Sequence, residues 1–146
     1  MIDSLSKCGL ENEPSDAGRV IRVDSKSGGQ RTDELRELFI ANSGTSIRFL
    51  TAALSALGGR YRLHGVARMH QRPIGDLVDA LSMVQRGTVS TESEGGCPPV
   101  RIDSQGWAEG VIRVAGNVSS QYLSGLMMAA PVALRWHRGQ ETLESI

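Results

Sequence analysis

Blocks of apolar and polar positions along the chain read as a mixed set of strands and helices. Leu38-Phe39-Ile40-Ala41 is a short continuous apolar run, the pattern of a buried strand. Residues 44–57 carry apolar side chains on nearly every helical face, so a helix there is expected to be buried all round. Gly58-Gly59 ends it. Tyr61-Arg62-Leu63-His64 alternates with the period of a strand. A second helix opens at Pro73 or Ile74, because proline is tolerated in a first turn, and fades by Gly87. Residues 88–91 and 100–103 read as two further strands, separated by a turn around Gly95-Gly96-Cys97-Pro98-Pro99. The order is β-α-β-α-β-β, which places the chain in the α/β (α+β) class.

This pattern recurs. Val20-Ile21-Arg22-Val23-Asp24-Ser25 returns as Pro99-Val100-Arg101-Ile102-Asp103-Ser104, and a helical stretch precedes each copy, Met1-Ile2-Asp3-Ser4-Leu5 and Leu77-Val78-Asp79-Ala80-Leu81. A small-residue turn into an apolar helix follows each, first at Asn42-Ser43-Gly44-Thr45-Ser46 and then at Asn117-Val118-Ser119-Ser120-Gln121. Pairing Leu5 with Leu81, Val23 with Ile102 and Leu50 with Leu123 gives offsets of 76, 79 and 73 residues. Agreement of three separate alignments marks an internal repeat. Residues 35–104 then hold one complete unit, residues 1–34 the second half of a preceding one, and residues 105–146 the first half of a following one. Met1 falls inside a helix pattern, and Thr142-Leu143-Glu144-Ser145-Ile146 stops within a strand pattern, so an internal piece of a larger repeat protein is expected. Half-units leave apolar faces that neighbouring units normally cover.

Charge narrows the classes of partner. Sixteen basic and sixteen acidic residues cancel, which argues against a general nucleic-acid or membrane-surface binder. The apolar run 126–134 is broken by Pro131 and is about half the roughly 20 residues a membrane span needs. No apolar signal segment follows Met1, and Cys8 and Cys97 have no zinc spacing and form no disulfide framework. They read as reduced thiols of a cytoplasmic protein. His64, His70 and His137 share no helical ligand spacing, so no metal site is expected.

Two helix starts carry candidate chemistry, because free N–H groups at a helix N-terminus bind anions. Asn42-Ser43-Gly44-Thr45-Ser46 offers a glycine for close approach and hydroxyls as donors; Ser119-Ser120-Gln121 offers two hydroxyls and an amide at the matching point. Simple helix capping accounts for such residues equally well. The balance shifts with local charge: between Glu37 and Asp76 there is no acidic residue but there are five arginines, Arg48, Arg60, Arg62, Arg68 and Arg72. An anionic ligand suits such a stretch. For each arginine alone, a surface salt bridge is the competing role. Arg72 precedes Pro73, which biases it away from helix and puts it at a loop-to-helix junction, where a guanidinium can fork onto phosphate or carboxylate.

Three segments, Asn42-Ser43-Gly44-Thr45-Ser46-Ile47-Arg48, Arg68-Met69-His70-Gln71-Arg72-Pro73-Ile74-Gly75 and Val118-Ser119-Ser120-Gln121-Tyr122-Leu123, closely resemble signatures of 5-enolpyruvylshikimate-3-phosphate synthase. They stand in the family's order, and the similarity runs along nearly the whole chain, weakest over residues 133–146. They do not resemble the related UDP-N-acetylglucosamine enolpyruvyl transferases. The resemblance implies the enolpyruvyl transferase fold, two domains of repeated β-α-β-α-β-β units with the active site between them. It implies transfer of enolpyruvyl from phosphoenolpyruvate to shikimate 3-phosphate in aromatic amino acid biosynthesis, by an enzyme that is usually monomeric and needs no cofactor. Arg72 is then expected to contact phosphoenolpyruvate, with Gly44 and nearby Asn42 lining that pocket. Ser119 and Ser120 would hold the shikimate phosphate, and Gln121 would lie between the substrates. The family's inhibitor glyphosate would pack at Gly44, where a Cβ would crowd it. Phe49 stands where many members have proline, so inhibitor sensitivity does not carry over with the motifs.

No catalytic acid or base of the family falls within this chain. Its Ser-Lys-Ser motif belongs upstream of Met1, and its proton-transferring carboxylates and lysine belong downstream of Ile146. The chain alone is therefore expected to be inactive. Two alternatives are a complementing half of a split enzyme and a non-catalytic module that binds phosphate ligands.

Overall fold

The computed structural model describes residues 2–24, 33–114 and 119–141. The strand pattern at 142–146, and Met1, Ser25, Asn117 and Val118 of the motifs above, lie outside these residues.

Alternation places one face of a four-stranded sheet inward. In β4 (Gly59–His64), Tyr61 and Leu63 are buried while Arg60, Arg62 and His64 face out. In β6 (Cys97–Trp107), Val100, Ile102 and Ser104 are buried. With β3 (Leu35–Phe39) and β5 (Gln85–Ser93), these form a sheet of order β3-β4-β6-β5. The β3–β4 pair is parallel and the other two are antiparallel. A parallel pair needs a crossover, and α2 (Gly44–Leu57) supplies it. From β4 the chain runs through a 3-10 turn (Met69–Gln71) and α3 (Gly75–Ser82) into the β5–β6 hairpin.

Helix α2 is enclosed as its apolar pattern requires. Only Thr45 along it is exposed. One flank packs on β6 and β4, and the other meets α4 (Ser120–Glu141). Tyr122, Leu126, Ala129 and Ala133 line the inward stripe of α4, the spacing of an amphipathic helix. Its Gly125 lies against α2: a Cβ there would sit 3.7 Å from Ala52 Cβ and from Arg48 O. At the far end of α2, Gly58 and Gly59 take φ of 82° and 118°, which lets the chain reverse directly into β4. The buried Tyr61 hydroxyl donates to Gly58 O at 3.2 Å across that reversal.

Two boundaries differ from the sequence reading. Residues 38–41 are not a continuously buried strand; Leu38 and Ile40 are buried but Phe39 is 47% exposed, with its ring 5.5 Å from that of His64. The sheet keeps one face to solvent, the face that also carries Arg60, Arg62 and His64 of β4, so alternation is what the strand's position demands. The turn before β6 is confined to residues 94–96, and Cys97-Pro98-Pro99 open the strand. The prolines are tolerated because the β4–β6 register covers only residues 100–104 of β6, leaving no β4 ladder at 98 and 99 for them to interrupt.

Before this sheet, α1 (Ile2–Lys7) and the hairpin of β1 (Glu11–Ser15) and β2 (Val20–Asp24) repeat the order α3-β5-β6. Helix α1 leans on β3, where the Ser4 hydroxyl donates to Phe39 O at 3.4 Å. Cys8 enters the core, and burial pushes its thiol pKa up. Val20, Ile21 and Val23 of the hairpin stay exposed.

A buried polar knot locks the C-terminal half of α2 to β6. The Ser104 hydroxyl donates to Ser55 O at 2.6 Å and accepts from Gly106 N–H at 2.9 Å and from the Gln85 side-chain amide. Trp107 Nε1 donates to the Ser55 hydroxyl at 3.0 Å. Removing the shared hydroxyl strands buried partners. Ser104→Ala is therefore expected to lower the unfolding free energy by about 1–3 kcal/mol, measured by urea denaturation followed by tryptophan fluorescence.

Candidate anion-binding site

Three segments distant in sequence meet at the N-terminal end of α2. The first leaves β3 through Ile40, whose N–H donates to His64 O at 2.7 Å, and turns at Ala41 with φ 51°. Ser43 caps the helix: its hydroxyl accepts Ser46 N–H at 3.3 Å and lies 2.6 Å from the Ser46 hydroxyl. Gly44 is the first helical residue, and Asn42 is exposed on the turn two residues before it.

The second segment delivers Arg72. Its backbone is extended, φ −102° and ψ 112°, as a residue before proline must be. Its N–H donates to Met69 O at 3.1 Å. The guanidinium comes to rest against Gly44, with Nη1 only 2.5 Å from where a Cβ on that residue would be, and Arg48 Nη1 at 3.6 Å from the same point. Glycine here permits that close approach of the Arg72 tip. Its φ is ordinary.

The third segment is the start of α4. Ser119 Oγ accepts Gln121 N–H at 3.3 Å, the bond of a capping serine, and its own O–H remains as a donor. Ser120 is exposed beside it. Gln121 bridges the helices: its Nε2 donates to Thr45 Oγ1 at 3.0 Å and its Oε1 accepts from Arg48 Nη1 at 2.7 Å. Because a guanidinium has no acceptor, this pairing fixes which way the amide points. Arg48 also lies over the Tyr122 ring, 5.3 Å from its centroid, within cation–π range.

Of the six expected residues, Gly44 and Arg72 meet directly and Gln121 joins them through Arg48; Ser119 and Ser120 sit at the adjoining helix start, and Asn42 stands on the turn before Gly44. The Thr45 hydroxyl, expected among the donors of its segment, accepts from Gln121 instead. Tyr122 falls inside a quoted motif but drew no role from sequence, because its partners Pro73 and Arg48 lie far along the chain.

The charge of the site is one-sided. Neither α2 nor α4 has an acidic residue in its first turn, so the positive end of each helix dipole is left without a side-chain counter-charge there. Two arginines add to that potential. An anion would complete the arrangement. An open apolar cleft of about 390 Å³, lined by residues including Val84, Trp107, Ile112 and Ala133, contains none of these groups.

Four of the five arginines divide between two places, and Arg68 stands apart from both. Arg48 and Arg72 are in the site. Arg60 and Arg62 are on the outer face of the sheet, where Arg60 pairs with Asp103 at 3.1 Å and Arg62 with Glu92 at 2.8 Å and Glu37 at 3.4 Å. For these two the salt-bridge role wins, because strand pairing brings Glu37 and Asp103 beside them. Arg68 is exposed before the 3-10 turn.

The hydrogen bonds from Arg62 hold Glu92 below its ordinary pKa of 4.5. A depressed carboxylate contributes stability above its unfolded pKa and loses it as pH falls through the folded value. Arg62→Gln is therefore expected to flatten the loss of stability between about pH 5 and pH 3, in urea titrations at each pH. The effect is small because both side chains remain partly exposed.

Comparison with known proteins places the chain and its fold in a family. The model of EPSP synthase (3-phosphoshikimate 1-carboxyvinyltransferase) matches residues 1–138. A 3-phosphoshikimate 1-carboxyvinyltransferase of Marinomonas sp. (strain MWYL1) is 41% identical over 133 residues, 91% of this chain and 31% of that protein. One of Neisseria gonorrhoeae (strain NCCP11945) is 46% identical over 90% of this chain and 30% of its own length. The solved EPSP synthase from Acinetobacter baumannii superposes with a TM-score of 0.73 at 27% identity, covering 87% of this chain and 28% of that one. The chain spans about 30% of the length of the curated relatives it matches. On these grounds it belongs to the EPSP synthase family.

Proposed function

We propose that this surface binds the two anionic substrates of an enolpyruvyl transfer, phosphoenolpyruvate and shikimate 3-phosphate. The observation that carries the reading is Arg72 seated on Gly44, with Arg48 linking Gly44 to Gln121, at two helix starts whose first turns have no acidic residue. Phosphoenolpyruvate is taken by Arg72 over Gly44, with Asn42 at the rim. Ser119 and Ser120 donate to the phosphate of shikimate 3-phosphate, and Gln121 lies between the two. Positioning and electrostatic neutralisation are what such groups supply.

Proton transfer needs a different kind of residue. Arginine, serine, threonine, glutamine and glycine make poor general acids and bases at neutral pH; His70 of the second segment is turned to Gly65, whose N–H lies 3.5 Å from its Nε2, and the chain's two lysines are Lys7 and Lys26, outside the site segments. The chain accordingly supplies binding surface, and chemistry comes from groups elsewhere in a longer or complementing protein. Calorimetry with each substrate tests this. Arg72→Ala is expected to weaken phosphoenolpyruvate roughly tenfold or more, as loss of a charge-assisted bond does, and Ser119→Ala to weaken shikimate 3-phosphate. Unchanged affinities in both variants would sink the reading, and phosphate release by the chain alone would refute its dependence on outside groups.

Gly44 is the natural seat for glyphosate in this scheme. A Cβ at 44 meets the movable tip of Arg72 rather than backbone. Gly44→Ala should therefore keep the thermal midpoint within a few degrees while weakening both phosphoenolpyruvate and glyphosate; a fully retained affinity for both would contradict the close-approach argument.

The same reading assigns residues 35–104 to one complete repeat, 1–34 to the end of another and 105–146 to the start of a third. Its support is the matching order of α1-β1-β2 and α3-β5-β6 and the exposed Val20, Ile21, Val23, Leu123, Met127 and Met128. Those side chains are ones that neighbouring repeats would cover. The purified chain is expected to bind hydrophobic dyes and unfold with low cooperativity; a calorimetrically two-state transition would count against this assignment.

A further inference from the structure

The placement of Arg72 depends on a side chain that the substrate assignment does not use. Tyr122 is 3% exposed, and its hydroxyl donates to the carbonyl of Pro73 at 2.9 Å. Pro73 directly follows Arg72. Three bonds therefore fix the short path through Arg72: Arg72 N–H to Met69 O at 3.1 Å, Tyr122 Oη to Pro73 O, and Ile74 N–H to Gly96 O at 2.8 Å. The first comes from the 3-10 turn and the third from the β5–β6 turn. The second comes from α4, the helix that presents the serines and Gln121.

The aromatic ring of Tyr122 serves the other side. Arg48 lies over it, and the Arg48 guanidinium holds Gln121 Oε1. One residue thus touches the backbone next to Arg72 with its hydroxyl and supports the partner of Gln121 with its ring. Filling the core would need only the ring, since a phenylalanine packs the same volume. The hydroxyl adds what a phenylalanine would lack, a bond that ties α4 to the backbone beside Arg72.

We infer that Tyr122 is a positioning residue: its hydroxyl sets the path that carries the Arg72 guanidinium over Gly44, and its ring, through Arg48, sets Gln121. The inference rests on the reading of Arg72 as an anion ligand only in its consequence for affinity; the placement itself is independent of it.

The test uses the full chain with Tyr122→Phe, which keeps the ring and removes the bond. With nitrogen-15 labelling, the Arg72 Nε–Hε signal, assigned by its loss in Arg72→Lys, is compared in the ligand-free proteins. It should move and sharpen in Tyr122→Phe, while the Arg60 and Arg62 signals stay in place. An unmoved Arg72 signal overturns the inference. Calorimetry with phosphoenolpyruvate then separates positioning from general stability. Tyr122→Phe should weaken binding roughly 2- to 10-fold, the worth of one neutral hydrogen bond, yet cause no further weakening in an Arg72→Ala background. Equal weakening in both backgrounds means that Tyr122 does not act through Arg72, and overturns the inference. If the unsubstituted chain shows no phosphoenolpyruvate binding, the substrate reading fails and the Arg72 signal alone decides the positioning role. Arg48→Lys provides an independent arm, since it keeps the charge but loses the fork. The Gln121 side-chain amide should shift in that variant, and a fixed amide signal would remove Arg48 from the proposal.

Discussion

Enclosure of α2 is the constraint on which the rest of the structure depends. A helix covered by a sheet on one flank and by α4 on the other cannot rotate or slide without unpacking both. Its large buried side chains, Ile47 and Leu54 among them, each contribute roughly 1.5–3 kcal/mol through burial. The polar knot of Ser55, Ser104, Gln85 and Trp107 pins its far end. With the body and C-terminal end held, the N-terminal end emerges at one place, and Gly44 lies wherever that end is put.

A binding site made of helix ends inherits its precision from such packing. The N–H groups of a first turn cannot be re-aimed by side-chain rotation, so geometry must be set by the whole helix. Arg72 and Gln121 are adjusted to that fixed frame, one by the bonds along its loop and the other by Arg48 and Thr45. The contact between α2 and α4 at Gly125 brings the two helix starts close enough for a single glutamine to span them. Packing energetics and site geometry are here the same set of contacts.

Electrostatics sorts the remaining charges. The outer face of the sheet carries mixed signs that pair locally, as at Arg62 with Glu37 and Glu92. The helix-start end carries arginines without an acid in the first turn of either helix. Net charge of zero conceals this separation, and a ligand that is itself an anion meets only the second region as an unpaired positive field.

Much of this was legible from residues alone. Helix Gly44–Leu57 was readable residue for residue, because an all-round apolar stretch bounded by a serine cap and a glycine pair has few other uses. The alternation of β4 and the succession β-α-β-α-β-β were readable for the same reason: local period follows directly from which faces are buried. The motif residues Gly44, Arg72 and Gln121 could be named. What sequence could not decide was any property that depends on a neighbour far along the chain. Phe39 faces solvent because it lies on the outer face of the sheet, which no layer of the described residues covers. Arg60 and Arg62 are salt-bridged because strand register sets carboxylates beside them. Tyr122 meets Pro73, and Gln121 meets Thr45 and Arg48, only because α4 packs across α2. Periodicity encodes one element at a time; the pairing of elements, and hence the partner of each polar group, is settled when the chain closes on itself.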